Sequence, residues 1–335
     1  MPKRRLTGAQ RELLATVLEA AFANPFSENR AQLDLSIAGL ENDSGVETHL
    51  DAAIGRVNGL LSDLDTPSPA RLGEFPTEDQ KLVKHAELFS LFHHCIEDFD
   101  ALIAQQIKVR DGSCPTPFAG AALGRMHARG IGEQEALRYF ALFYQLRRAY
   151  RFINNGLVGR SHSMQHLRMV LWNHVFTQDT RLYVDVLWNR MEDFATLILG
   201  ETGTGKGAAA VAIGRSGFIP FQPKQNAFSE SFMTSLVELN LSQFPESLIE
   251  SELFGHRKGA FTGAIEAHPG TFSLCSPHGS VFLDEIGDVT IPVQIKLLRV
   301  LQDRTFCAVG SHERQRFRGR IIAATNNPLD KLRQT

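Results

Sequence analysis

The segment GETGTGKG at residues 200–207 combines spaced glycines with one lysine, a pattern suited to binding phosphate groups. Its glycines allow a tight turn in which several backbone N–H groups point at one polyphosphate, and Lys206 can reach the terminal phosphates. Such loops ordinarily end in Ser or Thr, whose hydroxyl helps to hold Mg²⁺, whereas position 207 is glycine here. The pattern favours a phosphate-binding loop over an ordinary glycine-rich turn between a strand and a helix. The candidate binding residues are Gly200, Glu201, Thr202, Gly203, Thr204, Gly205, Lys206 and Gly207.

Two adjacent acids close the segment SVFLDEIGD, in which four mainly apolar residues precede Asp284 and Glu285. In this form, that of a Walker B strand, Asp284 would hold Mg²⁺ through water and Glu285 would polarise an attacking water. A buried strand that ends in two carboxylates is costly without cations, and Mg²⁺ together with Lys206 would supply them. The pair therefore predicts nucleotide hydrolysis; the alternative is an exposed Asp-Glu at a strand end.

Two asparagines follow other apolar runs and are further catalytic candidates. The segment RIIAATNNP ends in Thr325 and Asn326, and an Asn beside a terminal phosphate can report whether that phosphate is present. The segment LVELNLS places Asn240 at a strand end, within reach of Glu285, where it could hold that carboxylate away from water. An ordinary turn or strand-end Asn remains the alternative at both positions.

The segment GHRKGAFTGA at residues 255–264 is unsuited to a core face or a stable strand. Two basic residues lead into it, and small residues surround Phe261 and Thr262. The composition predicts a mobile loop with one aromatic side chain near its tip, or else an inert surface excursion. The candidate partner-binding residues are Gly259, Ala260, Phe261, Thr262, Gly263 and Ala264.

The elements that must position these residues alternate between strand and helix from residue 195 onward. The runs ATLIL, LVELN, SVFLD and RIIAAT are predicted strands, and IPVQIKLLRVLQDR is a predicted helix with Pro292 in its first turn. Alternation of this kind indicates an α/β fold with a parallel sheet flanked by helices. Ligands then bind at the carboxyl ends of the strands.

The first part of the chain, residues 1–155, has helical periodicity and predicts a mainly α-helical domain ahead of a second domain at 156–335. Thr77 to Gln80 has the form of a capping box. The predicted helices are Ala9–Phe22, His49–Leu61, Thr77–Lys108 and Glu133–Ile153.

Two clusters in these helices have alternative interpretations. In KHAELFSLFHHCIEDFD, His93 shares a face with Glu97 and His94 with Asp98, which could build a metal or ligand site, although a solvated polar stripe is favoured. The aromatic residues of LRYFALFYQLRRAYRFI could line a pocket, although packing between helices is favoured. They are Tyr139, Phe140, Phe143, Tyr144, Tyr150 and Phe152.

Length and composition restrict the class of protein. A chain of 335 residues with 43% hydrophobic residues can build two domains, and a net charge of −2 gives no global attraction to nucleic acid or to an anionic membrane. No apolar segment has the length of a signal peptide core or a membrane span, so a cytoplasmic protein is expected. The four cysteines are far apart and predict buried free thiols.

Taken together, GAFTGA at 259–264, the preceding ESLIESELFGHRK and the following HGSVFLDEIGD resemble the AAA+ domain of bacterial enhancer-binding proteins, the activators of sigma-54 RNA polymerase. The resemblance covers roughly residues 156–335. VGRSHSM at 158–164 resembles the segment that opens the domain, and IPVQIKLLRVLQDRTFCAVG resembles the segment after Walker B. It implies an AAA+ P-loop NTPase that binds ATP and Mg²⁺ and assembles into a homo-oligomeric ring.

The same resemblance implies roles for the remaining candidates. The loop that holds Phe261 and Thr262 would touch sigma-54 and move with the nucleotide state, so that ATP hydrolysis remodels the sigma-54 RNA polymerase holoenzyme. Asn240 would be the switch partner of Glu285, and Asn326 would belong to the first sensor.

The sequence also departs from the family pattern. Position 207 is usually glutamate in the family, and the segment from Lys206 to Asn240 is longer than usual. The chain ends at Thr335, before the family's arginine fingers, helical lid and DNA-binding helix-turn-helix, so slow hydrolysis and DNA binding only through a further domain are expected. The alternatives are a truncated nucleotide-binding interaction module with little turnover, or another AAA+ motor.

Overall fold

The computed structural model describes residues 4–40, 46–190 and 193–328. Helices make up the first half of the chain, and strands alternate with helices in the second. The helices are α1 (Gly8–Phe22), α2 (Glu28–Ala38), α3 (Val46–Leu64), α4 (Thr77–His94), α5 (Ile96–Val109), α6 (Ala119–Arg129), α7 (Glu133–Gly156), α8 (His162–Phe176), α9 (Thr180–Leu182), α10 (Lys206–Gly214), α11 (Glu246–Phe254), α12 (Thr271–Leu274) and α13 (Ile291–Asp303). The strands are β1 (Thr196–Leu199), β2 (Phe221–Gln222), β3 (Ala227–Phe228), β4 (Leu236–Asn240), β5 (Ser280–Asp284), β6 (Thr305–Phe306), β7 (Gln315–Arg316) and β8 (Arg320–Thr325).

The central sheet is parallel and contains four strands in the order β1-β8-β5-β4. Leu199 pairs with Thr325 and Asn240 pairs with Asp284, so the carboxyl ends of the strands meet at one edge of the sheet. The four strands predicted from the apolar runs are confirmed, and so is helix α13 with its Pro at the start.

Helices cover both faces of the sheet because side chains alternate along each strand. Val281 and Leu283 of β5 face a core formed with α11 and α13, whereas Phe282 belongs to the larger core that includes α10 and the N-terminal helices. A parallel sheet flanked by helices and preceded by a mainly helical region is the fold class that the sequence predicts, and it is confirmed.

The prediction of one helix over Thr77–Lys108 is wrong, because the helix breaks at Cys95. Cys95 has φ −90° and ψ 3°, outside the helical range, and its N–H contacts the carbonyls of Leu91 and Phe92 at 3.1 and 3.2 Å. The break lets α4 pack on α1 and α6 while α5 packs on α7. No Gly or Pro marks the position, so local sequence gives no signal for it.

The break also changes the interpretation of the histidine cluster. His93 and His94 end α4, whereas Glu97 and Asp98 begin α5, so the spacing of four residues no longer places them on one helical face. Across the described ranges, no group of three or more His, Cys, Asp or Glu side chains is arranged to hold a metal ion. The favoured interpretation of the aromatic stripe is confirmed for Phe140, which packs against Phe99, Phe221 and other rings.

The capping box predicted at Thr77 is wrong, and a different one is present at α1. Pro76 is the N-cap of α4, no side chain caps that helix, and Gln80 donates from Nε2 to the carbonyl of Phe75 at 2.9 Å. At α1, the Thr7 hydroxyl accepts from the Gln10 N–H at 3.2 Å, and the Gln10 side chain accepts from the Thr7 N–H at 2.9 Å. Because Pro76 takes the N-cap position, Thr77 is the first residue inside the helix.

Helix α7 joins the N-terminal helices to the sheet region. Arg148 is fully buried and donates to the carbonyls of Arg215 and Gly217 at 2.8 and 2.6 Å. Gln145 donates to the carbonyl of Ser216 at 2.8 Å. These carbonyls follow the last residue of α10, so α7 fixes the carboxyl end of that helix; this set of contacts is called the α7 clamp below. The predicted domain boundary between residues 155 and 156 stays a prediction.

The four cysteines are free thiols, as the sequence predicts; Cys95 and Cys114 are buried, and Cys275 and Cys307 are half-buried. Burial raises the pKa of the Cys95 thiol to about 11. In the described part of the chain, no helix combines the length and the apolar character that crossing a membrane requires.

Replacing the two threonines separately tests the helix starts. Thr7→Ala removes a cap hydrogen bond and should lower the free energy of unfolding by about 1 kcal/mol. Thr77→Ala should leave it unchanged or slightly higher, since Thr77 caps nothing and Ala is the better helix former. Urea unfolding followed by circular dichroism measures both, and equal losses would contradict the assignment of the caps.

Candidate functional site

The glycine-rich loop between β1 and α10 turns back on itself through two glycines with positive φ. Gly203 has φ 83° and Gly205 has φ 92°, a conformation that side-chain-bearing residues rarely adopt. Gly205 is the N-cap of α10, so the loop leads directly into a helix N-terminus, where backbone N–H groups favour an anion.

Lys206, the first residue of α10, is 9% exposed and folded back over the loop. Its Nζ donates to the carbonyls of Gly200 and Glu201 at 2.9 and 3.1 Å. Within the described residues these carbonyls are its hydrogen-bond partners and no carboxylate forms an ion pair with it. The positive charge at the centre of the loop is therefore solvated by neutral oxygens and remains free to attract phosphate.

The two end glycines of the motif have different surroundings. A Cβ on Gly200 would lie 2.8 Å from the hydroxyl oxygen of Thr204, which donates to the carbonyl of Glu201 at 2.7 Å. A Cβ on Gly207 would meet nothing within 4 Å. Close packing inside the loop thus favours glycine at position 200, whereas no steric reason favours it at position 207.

The two acids lie at the end of β5, beside this loop. Glu285 has φ 56° and ψ 46°, the left-handed region, which is unfavourable for a residue with a side chain and often marks a functional site. Its N–H donates to Asp284 Oδ1 at 3.1 Å. A Cβ on Gly287 would lie 2.6 Å from the hydroxyl of Thr325, so the turn after the acids packs tightly against the end of β8.

Asn326 connects the acids to the loop. Its backbone N–H donates to Glu285 Oε2 at 3.3 Å, and its side-chain Nδ2 donates to the hydroxyl of Thr202 at 3.4 Å. The structure therefore brings together groups from the residues that directly follow β5 and β8 and from the glycine-rich loop, which are far apart in sequence. Contacts of this kind can transmit a change at one of them to the others.

Asn240 is placed next to the acids but forms different bonds from the predicted ones. It pairs in register with Asp284 on the neighbouring strand. Its side-chain oxygen accepts from the N–H and the hydroxyl of Ser242, at 3.0 and 2.7 Å, and so caps the short helical turn after β4. The contact between Asn240 and Glu285 stays a prediction.

The GAFTGA segment forms a compact exposed turn. The N–H of Gly259 donates to the carbonyl of Ala264 at 2.8 Å, and Gly259 and Gly263 both have positive φ. Phe261 is 37% exposed and contacts the ring of His256 edge-on, with centroids 4.9 Å apart. The tip thus presents a partly exposed aromatic ring on a turn that glycines allow.

The base of this turn is held much more tightly than its tip. His256 and His268 exchange backbone hydrogen bonds at 3.0 Å, and the Ser251 hydroxyl contacts His256 Nδ1 at 2.6 Å. A Cβ on Gly270 would lie 2.1 Å from the backbone nitrogen of Gly255. Such a stem keeps the tip in a defined position relative to α11.

Several residues that shape the site were missed by the sequence patterns. Gly287 follows the acid pair, and a glycine in that turn is a signal that could have been read. Gln145 and Arg148 fix the far end of α10 through backbone carbonyls, and no local pattern could reveal contacts across about 70 residues of sequence.

Comparison with known proteins agrees with this geometry. Residues 178–335 match the family described as the sigma-54 interaction domain. The chain is 44% identical over 137 residues to the sigma-54-dependent transcriptional activator SfnR of Pseudomonas putida, covering 41% of this chain and 34% of that protein. Residues 178–335 are a sigma-54 interaction domain. The resemblance inferred from the GAFTGA segment and its flanks is thereby confirmed for this part of the chain.

Other relatives of the sigma-54 interaction domain match a similar share of the chain. A Nif-specific regulatory protein of Bradyrhizobium diazoefficiens is 46% identical over 135 residues, which cover 40% of this chain and 21% of that protein. The matched segments span 21% to 36% of the length of the curated relatives. A crystal structure of NtrX from Brucella abortus is 22% identical, has a TM-score of 0.38 and covers 65% of this chain and 44% of that one.

Matched substitutions test the two end glycines of the loop in the sigma-54 interaction domain. Gly200→Ala should lower the free energy of unfolding by about 1 kcal/mol, the net value of the Thr204 hydrogen bond that the new Cβ displaces. Gly207→Ala should leave it unchanged or raise it slightly, because the space is open and Ala favours a helix. Thermal and urea unfolding measure the difference, and a larger loss for Gly207→Ala would contradict the packing described for the loop.

Proposed function

We propose that the chain acts in transcription activation as an ATPase that couples ATP binding and hydrolysis to remodelling of the sigma-54 RNA polymerase holoenzyme. The observation that carries the proposal is the meeting of the glycine-rich loop, the acid pair and Asn326 at one edge of the sheet. These groups lie within a domain whose family is defined by interaction with sigma-54. ATP is the nucleotide implied by the family resemblance.

In the proposed reaction, the loop from Gly200 to Gly207 binds the phosphates through its backbone N–H groups and the N-terminus of α10. Lys206 exchanges its carbonyl partners for the terminal phosphates, which places its charge where negative charge develops. Glu285 orients and polarises the attacking water. Asn326, already bonded to Glu285 and Thr202, responds to the presence or loss of the terminal phosphate.

Mg²⁺ fits the acid end of the site. Asp284 presents a carboxylate that accepts one backbone hydrogen bond, through Oδ1, and Mg²⁺ commonly takes one or two carboxylates together with water and substrate phosphates. When bound, the ion neutralises phosphate charge. Asp284 would hold the ion through water, without the hydroxyl that usually assists it, because position 207 is glycine.

The chain offers a short route from this site to the GAFTGA turn. Strand β4 ends at Asn240, beside Asp284, and the next elements are a helical turn and α11, which ends at Phe254. Leu253 and Phe254 pack in the same core as Leu283 of β5. A shift of Asn240 or β5 with the nucleotide state would therefore move α11 and the turn attached to it.

The partners follow from the same proposal. The turn from Gly259 to Ala264 would contact sigma-54, with Phe261 as the exposed apolar group. A homo-oligomeric ring and a cytoplasmic setting complete the proposed activity, and enhancer DNA would be bound by another domain.

Gly207 favours a second candidate, a nucleotide-binding interaction module with little turnover. Without a hydroxyl at this position the chain supplies fewer groups for Mg²⁺ than the usual motif. Such a module would bind ATP and partners but would not convert hydrolysis into movement. Substitutions of Lys206 and Glu285 separate the two candidates.

Lys206→Ala and Glu285→Gln should affect different steps. Lys206→Ala should weaken ATP binding at least tenfold, whereas Glu285→Gln should preserve binding and reduce the hydrolysis rate by roughly 10²- to 10⁴-fold, the usual contribution of general-base catalysis. Fluorescent-ATP titration and phosphate release measure the two steps. A wild-type rate no higher than that of Glu285→Gln would support the second candidate instead.

Phe261→Ala and Ile265→Ala form a matched pair at the turn. Both side chains are exposed, at 37% and 78%, and neither contributes to a core. With a transition-state analogue such as ADP–aluminium fluoride, Phe261→Ala should weaken binding of purified sigma-54 at least tenfold and leave ATP binding unchanged. Ile265→Ala should bind sigma-54 like the wild type in sedimentation assays. Unchanged binding by Phe261→Ala would favour another AAA+ motor.

A further inference from the structure

An apolar cavity of about 330 Å³ lies among the N-terminal helices, away from the glycine-rich loop. Helices α1, α4, α7 and α8 all contribute to its wall. Its aromatic lining consists of Phe22, Phe89, Phe92, Tyr139, Phe143, Tyr150 and Trp172. Cavities of this size and character are typical of small-molecule sites.

The charged side chains in the wall already have partners. Arg30 forms an ion pair with Asp34 at 2.9 Å, and both line the cavity. Arg147 donates from Nε to Asp100 Oδ1 at 2.8 Å. Because these charges are paired within the protein, the described residues of the wall offer no unpaired charge to a charged ligand.

Neutral histidines supply hydrogen-bond acceptors in the wall. His85 and His93 both line the cavity. His85 and His93 contact the carbonyls of Lys81 and Phe89 through Nδ1, which therefore carries the proton. Burial lowers the pKa of His93 to about 4 and also lowers that of His85, so both rings are neutral and each keeps Nε2 as an acceptor.

We propose that this cavity binds an uncharged aromatic molecule of about two fused rings that carries one hydrogen-bonding group. An apolar cavity of ~150 Å³ holds benzene, so one about twice that size suits two rings. The aromatic walls favour a flat ring system. The Nε2 acceptors of His85 and His93 favour a donor such as a hydroxyl on it.

Occupation of the cavity would reach the nucleotide site through α7. Phe143 and Tyr150 line the cavity, and Gln145 and Arg148 on the same helix form the α7 clamp at the end of α10. Helix α10 begins with Lys206. A ligand that shifts or stiffens α7 therefore acts on the helix that carries the phosphate-binding lysine. This regulatory step rests on the proposed function, whereas the binding of the ligand does not.

Equilibrium dialysis of the 335-residue chain with three probes tests the site. We expect saturable 1:1 binding of 1-naphthol. Naphthalene, which lacks the hydroxyl, should bind roughly threefold to tenfold more weakly, the range expected for one hydrogen bond. 1-Naphthoate should bind at least tenfold more weakly than 1-naphthol because no free cation meets its carboxylate. No saturable 1-naphthol binding, or tightest binding of the naphthoate, would overturn the proposal.

Histidine substitutions supply matched variants. The double variant His85→Phe and His93→Phe keeps aromatic rings in the wall but removes both Nε2 acceptors, so the preference for 1-naphthol over naphthalene should disappear. His94→Phe changes an exposed histidine outside the cavity wall and should keep that preference. Equal preferences in the two variants would contradict the role of the histidine acceptors. Should the double variant fail to fold, the order of the three probes on the wild type still decides.

The regulatory step has a separate readout. Saturating 1-naphthol should change the wild-type ATPase rate by about fivefold or more, the lower end of typical coupling between sites. Gln145→Met, which removes one contact of the α7 clamp, should reduce this change while leaving 1-naphthol binding intact. An ATPase rate that bound 1-naphthol does not change would overturn the coupling alone. If the chain showed no ATPase activity but still bound 1-naphthol, the proposed function would be overturned and the binding site would stand.

Discussion

The position of β8 between β1 and β5 is the constraint on which the rest of the sheet region depends. Its hydrogen bonds align Leu199 with Thr325 and Leu283 with Ala323, so three strand ends stop at nearly the same level. The pairing continues past β1, because the N–H of Gly200 donates to the carbonyl of Thr325 at 3.3 Å. One strand thereby anchors the start of the glycine-rich loop and also positions Asn326, which directly follows it. A change in this register would separate the start of the glycine-rich loop from Asn326.

The motifs could be predicted from sequence because each one is local. The glycine-rich loop, the acid pair and the four strands are encoded within a few neighbouring residues, and parallel strands bring their ends together without further information. The bond that Asn240 makes was less predictable. Its side chain can cap its own turn or reach a neighbour, and the contact with Ser242 is the local choice that Asn side chains often make.

The helical region was predicted less well because tertiary packing decides its details. Cys95 breaks a periodic segment so that its two halves can pack on different helices, and nothing in the neighbouring residues indicates this. Thr77 and Thr7 both resemble the start of a capping box, and the preceding Pro76 determines that only Thr7 is a cap. The α7 clamp depends on backbone carbonyls of a distant loop, which no side-chain pattern reveals.

The position of the Lys206 ammonium has a consequence for which anions the loop can hold. Because its Nζ already has two carbonyl partners, an arriving anion must replace existing bonds and does not simply meet a bare charge. In the proposed nucleotide site, a single small phosphate would gain little from such an exchange. A longer polyanion would also engage the N–H groups of the loop and of the first turn of α10, which would offset the bonds that are lost. The resting position of this one side chain would thus favour polyphosphates over simple anions.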